Sequence, residues 1–408
     1  MENYPEMQFS EVVKDIPEAS SIYINNIVSA KKRRGDIVTV LSLGEAFFEI
    51  PSFPFDEDEI GRGYHYSDSR GVPELRKCIA AYCKDCYDAV VDSDNEVLIS
   101  AGSKPLIYMA FRVLLNPGDE VLIQEPAWLS YREEIKLAYG IPRFIPYDCS
   151  IEEYGKYCTE KTKVVVICNP NNPAGITYTK EDLLTLYKIC RPKGIYILVD
   201  EAYSDFVSNG AFTSMASLVP EKDGIIVTNS LSKSLGISGW RLGYAISSPD
   251  VIFQLLKLNQ HLITCPSTLL SLHVAKHFDE LIRETTPQAR ALVEKRKAVT
   301  EYMHQIGLQC LKGSATFYIF MNIGDYGYSS VELSLYLLMR YGISIVPGVA
   351  YGQSTERFVR IAVGTESLEK IKESLLTIKK VIETNEYDKS IINRELSELH
   401  LSRFALSS

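Results

Sequence analysis

Residues 229–244 read NSLSKSLGISGWRLGY and hold the most informative group of side chains in the sequence. Small and hydroxylic residues surround one lysine, Lys233, with Ser230 three positions before it and Arg241 eight positions after it. A lysine that forms an imine needs an accessible, loosely packed site and a lowered pKa. Ser230 and Arg241 both suit the binding of an anion such as a phosphate. Taken alone, the segment fits an ordinary surface lysine equally well.

Three other stretches carry polar groups beside predicted strands. In residues 197–203 (ILVDEAY), Asp200 stands at the carboxyl end of a buried strand, where α/β sheets bind ligands. A carboxylate there can keep a pyridine nitrogen protonated, or it can simply begin the next helix. In residues 168–175 (CNPNNPAG), Asn172 either belongs to a turn or hydrogen-bonds a ring substituent. Residues 101–104 (AGSK) precede a helix, and backbone N–H groups at a helix start bind phosphate.

The region around these stretches alternates short β-rich runs with helical segments. Several runs are rich in Val and Ile with little alternation, which is typical of strands buried on both faces. The pattern predicts an α/β fold, a mostly parallel seven-stranded sheet covered by helices. The predicted strands are 96–100, 120–123, 143–146, 163–168, 195–199, 224–228 and 242–246, with helices at 104–115 and at 180–190, where Thr179 suits an N-cap.

Beyond residue 249 the pattern changes to long helices and a few strands. This change predicts a large α/β domain over residues 44–284 and a smaller α+β domain formed by residues 1–43 and 285–408. The predicted elements are helices at 251–278, 279–306, 331–341 and 366–384, strands at 317–323 and 358–363, and an amphipathic stretch at 395–405.

Composition excludes several classes of protein. The 408 residues, 46% hydrophobic and 23% charged, suit a soluble protein of two or three domains. A net charge of −9 without a basic stripe argues against nucleic-acid binding. The start (MENYPEMQFSEVVKD) lacks the pattern of a signal peptide, and no apolar run reaches the roughly 20 residues of a membrane helix. The nine scattered cysteines suit reduced thiols, so we expect a cytoplasmic protein without a membrane partner.

Together these stretches resemble one family, the fold-type-I, class I/II aminotransferases of the aspartate aminotransferase-like group. The resemblance runs from about residue 44 to residue 360 and follows the order of the family's motifs. It implies an enzyme that moves an amino group between an L-amino acid and a 2-oxo acid in a ping-pong cycle. The matching stretches are 66–76 (YSDSRGVPELR), 102–104 (GSK), 126–131 (PAWLSY), 172–175 (NPAG), 200–203 (DEAY), 230–233 (SLSK), 239–243 (GWRLG) and 357–360 (RFVR).

The resemblance also implies a cofactor, pyridoxal 5′-phosphate, and a role for each matching residue. Lys233 would bind the cofactor as a Schiff base and shuttle the proton, and Asp200 would pair with the pyridine nitrogen. Arg360 would bind the substrate α-carboxylate, with Gly44 and Asn172 beside the substrate. The remaining implied cofactor contacts are Asn172 and Tyr203 at the phenolic oxygen, Trp128 on the ring face, Ser103, Lys104, Ser230 and Arg241 at the phosphate, and Tyr66 donated across a homodimer interface.

Departures from the family pattern concern specificity. Ala46-Phe47 stand where the family usually has Pro-Asp, Ala174 replaces Thr or Ser, and Ser271 replaces a common Gln. Phe47, with Phe48 and Tyr64 nearby, favours a substrate with an apolar or aromatic side chain. Glutamate and 2-oxoglutarate are the expected pair for the other half-reaction. A pyridoxal-phosphate lyase or synthase of the same fold is the alternative function, followed by a non-catalytic sensor of the cofactor.

Four further patterns favour ordinary structure. The CxxC spacing of Cys83 and Cys86 lacks a second ligand pair, and His273 and His277 are expected on a helix surface, so no metal ion is expected. Gly61-Arg-Gly63 lacks the strand and third glycine of a dinucleotide loop. The basic run 31–34 (KKRR) is expected to be a solvated helix end.

Overall fold

The computed structural model describes residues 8–208 and 212–401. None of the helices in these ranges combines the length and the apolar character that a membrane crossing needs. The strands are β1 (Thr39–Val40), β2 (Val97–Ser100), β3 (Glu120–Gln124), β4 (Ile141–Ile145), β5 (Thr162–Cys168), β6 (Tyr196–Asp200), β7 (Ile225–Ser230), β8 (Gly243–Ser247), β9 (Tyr318–Asn322), β10 (Ile343–Ser344), β11 (Val346–Pro347) and β12 (Phe358–Ala362). The helices are α1 (Glu11–Lys14), α2 (Ser20–Arg34), α3 (Glu57–Gly63), α4 (Pro73–Tyr87), α5 (Ser103–Leu114), α6 (Ser130–Leu137), α7 (Lys180–Cys190), α8 (Met215–Leu218), α9 (Leu231–Ser234), α10 (Pro249–Leu262), α11 (Thr268–Lys276), α12 (Phe278–Gln305), α13 (Ser330–Tyr341), α14 (Leu368–Glu383) and α15 (Lys389–Glu398).

The main sheet has seven strands in the order β2-β8-β7-β6-β5-β3-β4. Only β8 runs antiparallel, to β2 on one side and to β7 on the other, so the prediction of a mostly parallel seven-stranded sheet is confirmed. The packing of β5 explains why its apolar run has no polar residues between the apolar ones. Val164 and Val166 pack into one core cluster, and Val165 and Ile167 pack into another. Both faces of the strand are therefore covered, as a run without alternation predicts.

A second unit is built from the antiparallel sheet β11-β12-β9, with helices α13 and α14. The N-terminal segment joins it through β1, which pairs in parallel with β10, Thr39 opposite Ile343. Helix α12 is continuous over 28 residues and includes position 284. The chain therefore passes from one unit to the other within this helix. An α+β arrangement of the N-terminal and C-terminal parts supports the predicted smaller domain, whose boundaries stay a prediction.

The single helix predicted over 251–278 is wrong, because the structure ends α10 at Leu262 and begins α11 at Thr268. Pro266 causes the break, since proline has no N–H to donate and disfavours helical backbone in the residue before it. Thr264, between the two helices, has a left-handed φ of 74°. Ser267 then begins α11, and its side chain accepts a hydrogen bond from the Leu270 N–H.

The basic run at the end of α2 is solvated only in part, because Lys32, Arg33 and Arg34 are exposed as expected and Lys31 is not. Lys31 is buried, and its Nζ lies 2.8 Å from Asp36 and 3.0 Å from Glu395. Arg34 binds the same Glu395 at 2.7 Å, so Lys31 and Arg34 hold helix α15 against α2. The predicted amphipathic stretch 395–405 overlaps the end of α15, and its residues beyond 401 lie outside the described part of the chain.

Candidate active site

Most of the residues predicted for the site line one cavity of about 250 Å³ between the two units. The cavity lies at the carboxyl ends of β5 and β6, where an α/β sheet is expected to bind ligands. Its predicted lining residues are Gly44, Ser103, Trp128, Asn172, Asp200, Tyr203, Ser230, Lys233 and Arg360. Lys104, Arg241 and Tyr66 do not line it.

Lys233 is held by the short helix α9, which follows β7 directly and is capped by the Ser230 side chain. Its Nζ donates a hydrogen bond to the Gly44 carbonyl at 2.5 Å. Burial is the main reason that the pKa of Lys233 falls from 10.5 to about 8. The charges of Arg360 and Arg241 contribute to this lowering, and those of Glu45 and Asp200 oppose it. The amine is therefore a nucleophile and a base near neutral pH.

Asp200 ends strand β6 and is buried. Its carboxylate accepts hydrogen bonds from the Tyr131 hydroxyl at 2.6 Å and from the Ala202 N–H at 3.2 Å. Burial raises the pKa of the Asp200 carboxyl, while the Tyr131 hydrogen bond and the charge of Lys233 oppose that rise. Tyr131 had no role in the sequence interpretation, although it closes the matching stretch 126–131.

A connected set of side chains fills the wall towards the small sheet. Asn172 donates to the Tyr203 hydroxyl at 3.3 Å, and that hydroxyl lies 3.0 Å from the hydroxyl of Tyr318. Arg360, from β12, donates to Asn172 Oδ1 at 3.3 Å and to the Ser42 carbonyl at 2.6 Å. Sequence reasoning missed Tyr318, because nothing in its neighbourhood distinguishes it from an ordinary core tyrosine of a strand.

Arg360 combines deep burial with an incomplete set of partners. Its guanidinium carbon lies 4.4 Å from the centre of the Tyr318 ring, and the residue is 4% exposed. Within the described part of the chain, its Nε is buried without a hydrogen-bond partner. A carboxylate in the cavity would supply the acceptors that a buried guanidinium needs.

The opposite end of the site is shaped for an anion. Helix α5 begins at Ser103, after Gly102 with φ 96°, so the first N–H groups of a twelve-residue helix face the cavity end of β2. A Cβ on Gly102 would lie 2.6 Å from Arg241 Nη2, and one on Gly243 would lie 2.4 Å from the Ser103 nitrogen. Only glycine permits this approach of a guanidinium to a helix N-terminus, and the cradle fits a phosphate group.

Trp128 lines the cavity and Lys104 lies against its ring, whereas Tyr66 does not line the cavity. The Lys104 Nζ lies 4.8 Å from the centre of the Trp128 ring, and both residues line a second, larger cavity of about 710 Å³. Trp128 packs edge-on against Tyr131, with ring centres 5.2 Å apart. Tyr66 is 86% exposed and lies outside the cavity of a single chain.

Two residues expected on a helix surface are placed differently. His273 is 3% exposed and its Nδ1 lies 2.8 Å from Glu59 Oε1, so the helix-surface interpretation is wrong for it. His277 is largely enclosed as well, with 16% of its side chain exposed. The acidic neighbour comes from α3, more than two hundred residues earlier, which the spacing of the two histidines does not reveal.

Comparison with known proteins identifies the family. The family model "Aminotransferase class I and II" matches residues 50–375. An aspartate aminotransferase of Pyrococcus abyssi is 32% identical over 359 residues, covering 85% of this chain and 92% of that protein. The aromatic-amino-acid aminotransferase 2 of Thermococcus litoralis is 32% identical over 354 residues, covering 84% and 91%. The structure of an aspartate aminotransferase from Thermus thermophilus with maleate superimposes with a TM-score of 0.83 at 25% identity, over 92% of this chain and all of that one.

The match covers both units and the cavity between them, and the fold agrees with the solved structures over nearly the whole chain. Members of this family use pyridoxal 5′-phosphate, for which the anion cradle, the buried Asp200 and the lysine of lowered pKa provide a fitting set of groups. The chain belongs to the class I and II aminotransferases, pyridoxal-phosphate-dependent transaminases of fold type I.

Proposed function

We propose that the 250 Å³ cavity is the active site of this transaminase and that Lys233 holds the cofactor covalently. One observation carries the proposal: among the described residues that line this cavity Lys233 is the one lysine, and its pKa is lowered to about 8, chiefly by burial. An amine of ordinary pKa would be protonated at neutral pH and unable to attack an aldehyde. Borohydride reduction of the holoenzyme, followed by peptide mass spectrometry, tests this assignment. We expect the reduced label on Lys233; a label on any other lysine contradicts it.

The residues around Lys233 take separate tasks. Pyridoxal phosphate, when bound, supplies an aldehyde that accepts the amino group and a pyridine ring that withdraws electrons. Asp200 would keep the pyridine nitrogen protonated, and Asn172 and Tyr203 would hydrogen-bond the phenolic oxygen. The Nζ of Lys233 would accept the proton that leaves the substrate α-carbon and then release it. Trp128 would cover the ring face.

The phosphate would lie in the cradle formed by the first N–H groups of α5, at Ser103 and Lys104, with Ser230 and Arg241. Arg241 is held for this task, because its Nη1 donates to the Ser238 carbonyl at 2.8 Å while its other end faces Gly102. A helix N-terminus and a guanidinium together supply both the partial and the full positive charge that a phosphate prefers. Removing either should weaken cofactor binding more than catalysis by the loaded enzyme.

Arg360 would bind the α-carboxylate shared by amino-acid and 2-oxo-acid substrates. Its buried, incompletely bonded guanidinium supports this role, and Gly44 leaves the space beside it, since a Cβ there would lie 2.8 Å from the Tyr318 hydroxyl. Arg360→Leu should lower kcat/KM roughly 30-fold to several-thousand-fold, the effect of about 2–5 kcal/mol from a lost buried charge pair. The loss should be smaller for a simple amine, which has no carboxylate. Equal losses for both substrate types would contradict the role.

We also propose a homodimer in which Tyr66 of each chain completes the site of the other. Support comes from aromatic side chains that a single chain leaves exposed to solvent, since Phe47, Tyr64 and Tyr66 are 61%, 79% and 86% exposed. Mixing Tyr66→Ala with Lys233→Ala protein should regenerate up to one intact site per mixed dimer. No recovery of activity in mixtures that have exchanged subunits would contradict a shared site.

The partner substrate is proposed to carry an apolar or aromatic side chain, with glutamate and 2-oxoglutarate as the other pair in amino-acid metabolism. Phe47 supports this proposal, because it is 61% exposed three residues after Gly44, which lines the cavity. The relatives named for aspartate and for aromatic amino acids make the comparison informative. We expect kcat/KM to be higher for phenylalanine than for aspartate; the reverse order contradicts the proposal.

Two further parts of the proposal concern organisation and location. We place the boundaries of the large domain at residues 44–284, with residues 1–43 and 285–408 in the smaller one, because β1 pairs with β10. We also place the enzyme in the cytoplasm, which the nine free thiols support. Limited proteolysis tests the first part and fractionation of cells the second.

A further inference from the structure

A compact group of one carboxylate and two imidazoles lies outside the active site, between α3 and the junction of α11 and α12. One ligand atom each from Glu59, His273 and His277 lies within 4.8 Å of the other two. Glu59 and His273 are both 3% exposed. Buried carboxylates and imidazoles brought together from distant parts of a chain require an explanation, because each costs desolvation.

In the described part of the chain, one imidazole nitrogen of the group, on His277, takes no part in a hydrogen bond. Glu59 Oε1 meets His273 Nδ1 at 2.8 Å, and Glu59 Oε2 accepts from the Asp56 N–H at 2.7 Å. The nearest charged neighbour of His277 is Glu280, 3.9 Å from Nδ1. Within the described residues, His277 Nε2 is buried and has no hydrogen-bond partner. In the tautomer that carries its proton on Nδ1, this Nε2 has a lone pair with which it can bind a cation.

The surroundings suit a metal ion of borderline softness. Aromatic rings enclose the imidazoles: Phe53 stacks on His277 at 4.1 Å between ring centres, and Phe55 lies 4.3 Å from His273. Glu59 and Asp56 face the cation Lys276, and Glu280 pairs with Arg283. Three carboxylates thus lie beside two cations, so the local charge favours a further cation. Two imidazoles and a carboxylate are the donor set that Zn²⁺ takes with water as the fourth ligand.

We propose that Glu59, His273 and His277 form a binding site for one divalent transition-metal ion per chain, of which Zn²⁺ is the representative. Bonds of about 2.0–2.1 Å place tetrahedral ligand atoms about 3.3 Å apart. The Glu59 and His273 atoms, now 2.8 Å apart, would therefore separate slightly, and ligand atoms that are now up to 4.8 Å apart would approach each other. Binding would displace the proton between Glu59 and His273 to solvent.

The site would clamp α3 onto α11 beside Tyr66. These two helices already pack closely, since a Cβ on Gly63 would lie 2.8 Å from the Leu269 side chain. Thr268, at the start of α11, donates to the His65 carbonyl at 2.9 Å, next to Tyr66. A metal ion would add a bond between the same two helices, so the expected consequence is a more stable chain, with no part in the chemistry at Lys233.

The test uses chelator-treated holoenzyme titrated with Zn²⁺ in competition with a chromophoric chelator. We expect one tight equivalent per chain in the wild type, weakened at least tenfold in His277→Gln. His304→Gln is the matched control, because His304 lies outside the proposed site and 3.9 Å from the Cys310 thiol, a side chain that can also bind metal ions. It should keep the tight equivalent. Co²⁺ bound at the proposed site should show no thiolate charge-transfer band.

Thermal unfolding provides the second measurement. Zn²⁺ should raise the unfolding midpoint of the wild type and of His304→Gln, and leave that of His277→Gln unchanged. Glu59→Gln serves if His277→Gln loses its cofactor absorbance and so is misfolded. The proposal is wrong if the wild type has no tight equivalent, if His277→Gln and Glu59→Gln keep it, or if only His304→Gln loses it.

Discussion

The lowered pKa of Lys233 leads to the most direct test of the site. At pH 7.5 a lysine of pKa about 8 is neutral in about a quarter of molecules, whereas one of the ordinary 10.5 is neutral in about one in a thousand. The amine of Lys233 should therefore be roughly 200-fold more available for reaction at this pH in the folded apoenzyme. Trace acetylation with acetic anhydride, quantified by peptide mass spectrometry across a pH series, measures this difference. The same peptide from the unfolded chain is the internal control.

Two variants fix the sign of the electrostatic contributions. Burial is the largest cause of the lowered pKa; Glu45 opposes it and Arg360 adds to it. Glu45→Gln should therefore move the midpoint of the Lys233 acetylation profile to lower pH, and Arg360→Gln should move it to higher pH. A wild-type midpoint near that of the unfolded chain would refute the reasoning. Shifts of the two variants in the same direction would refute the assignment of charges.

Two other predictions concern groups that position the cofactor site. Gly102→Ala should weaken pyridoxal-phosphate binding, because its Cβ would lie 2.6 Å from Arg241 Nη2. Gly118 has a similar φ of 89° and nothing within 4 Å, so Gly118→Ala should keep cofactor affinity. An equal loss of affinity in both variants, measured by cofactor titration, would point to backbone strain instead. Tyr131→Phe removes the 2.6 Å hydrogen bond to Asp200, and this loss should raise the pKa of the Asp200 carboxyl further. We expect kcat to fall about 10- to 150-fold, which corresponds to the about 1.5–3 kcal/mol of a hydrogen bond to a charged group. Unchanged kcat in Tyr131→Phe would show that Asp200 does not need this donor.

The parts of the fold that could be predicted depend on local patterns. The run 164–167 (VVVI) predicts a strand covered on both faces, and Thr179 caps α7 through a capping box with Asp182, as its position suggested. The site residues at strand ends were also accessible to sequence reasoning. Asp200 follows an apolar run, and parallel strands bring their carboxyl ends to one edge of the sheet.

The parts that could not be predicted depend on contacts between distant segments. The ion pair of Lys31 with Glu395 joins residues 364 positions apart, and the hydrogen bond of His273 with Glu59 joins residues 214 apart. Neither helix carries a sign of its partner, because a charged or imidazole side chain looks the same whether water or a carboxylate faces it. Tyr318 is similar, since its hydroxyl matters only because β9 lies beside Tyr203. Pro266 is a signal for a helix break that the sequence contains, but the apolar residues keep helical spacing on both sides of it. This spacing led to the prediction of a single helix.

The short segment of residues 42–44 explains how the two cations of the site share one cavity. Arg360 donates to the Ser42 carbonyl and Lys233 to the Gly44 carbonyl, so neutral backbone oxygens hold both charges, one from each structural unit. A carboxylate in the same place would raise the pKa of Lys233 and neutralise Arg360, whereas carbonyl dipoles orient both groups without a full negative charge. The bonds are also exchangeable, since an incoming substrate carboxylate offers Arg360 a stronger acceptor than a carbonyl. Glycine at position 44 is required by the same geometry, because any side chain there would meet the Tyr318 hydroxyl and displace the segment from both cations.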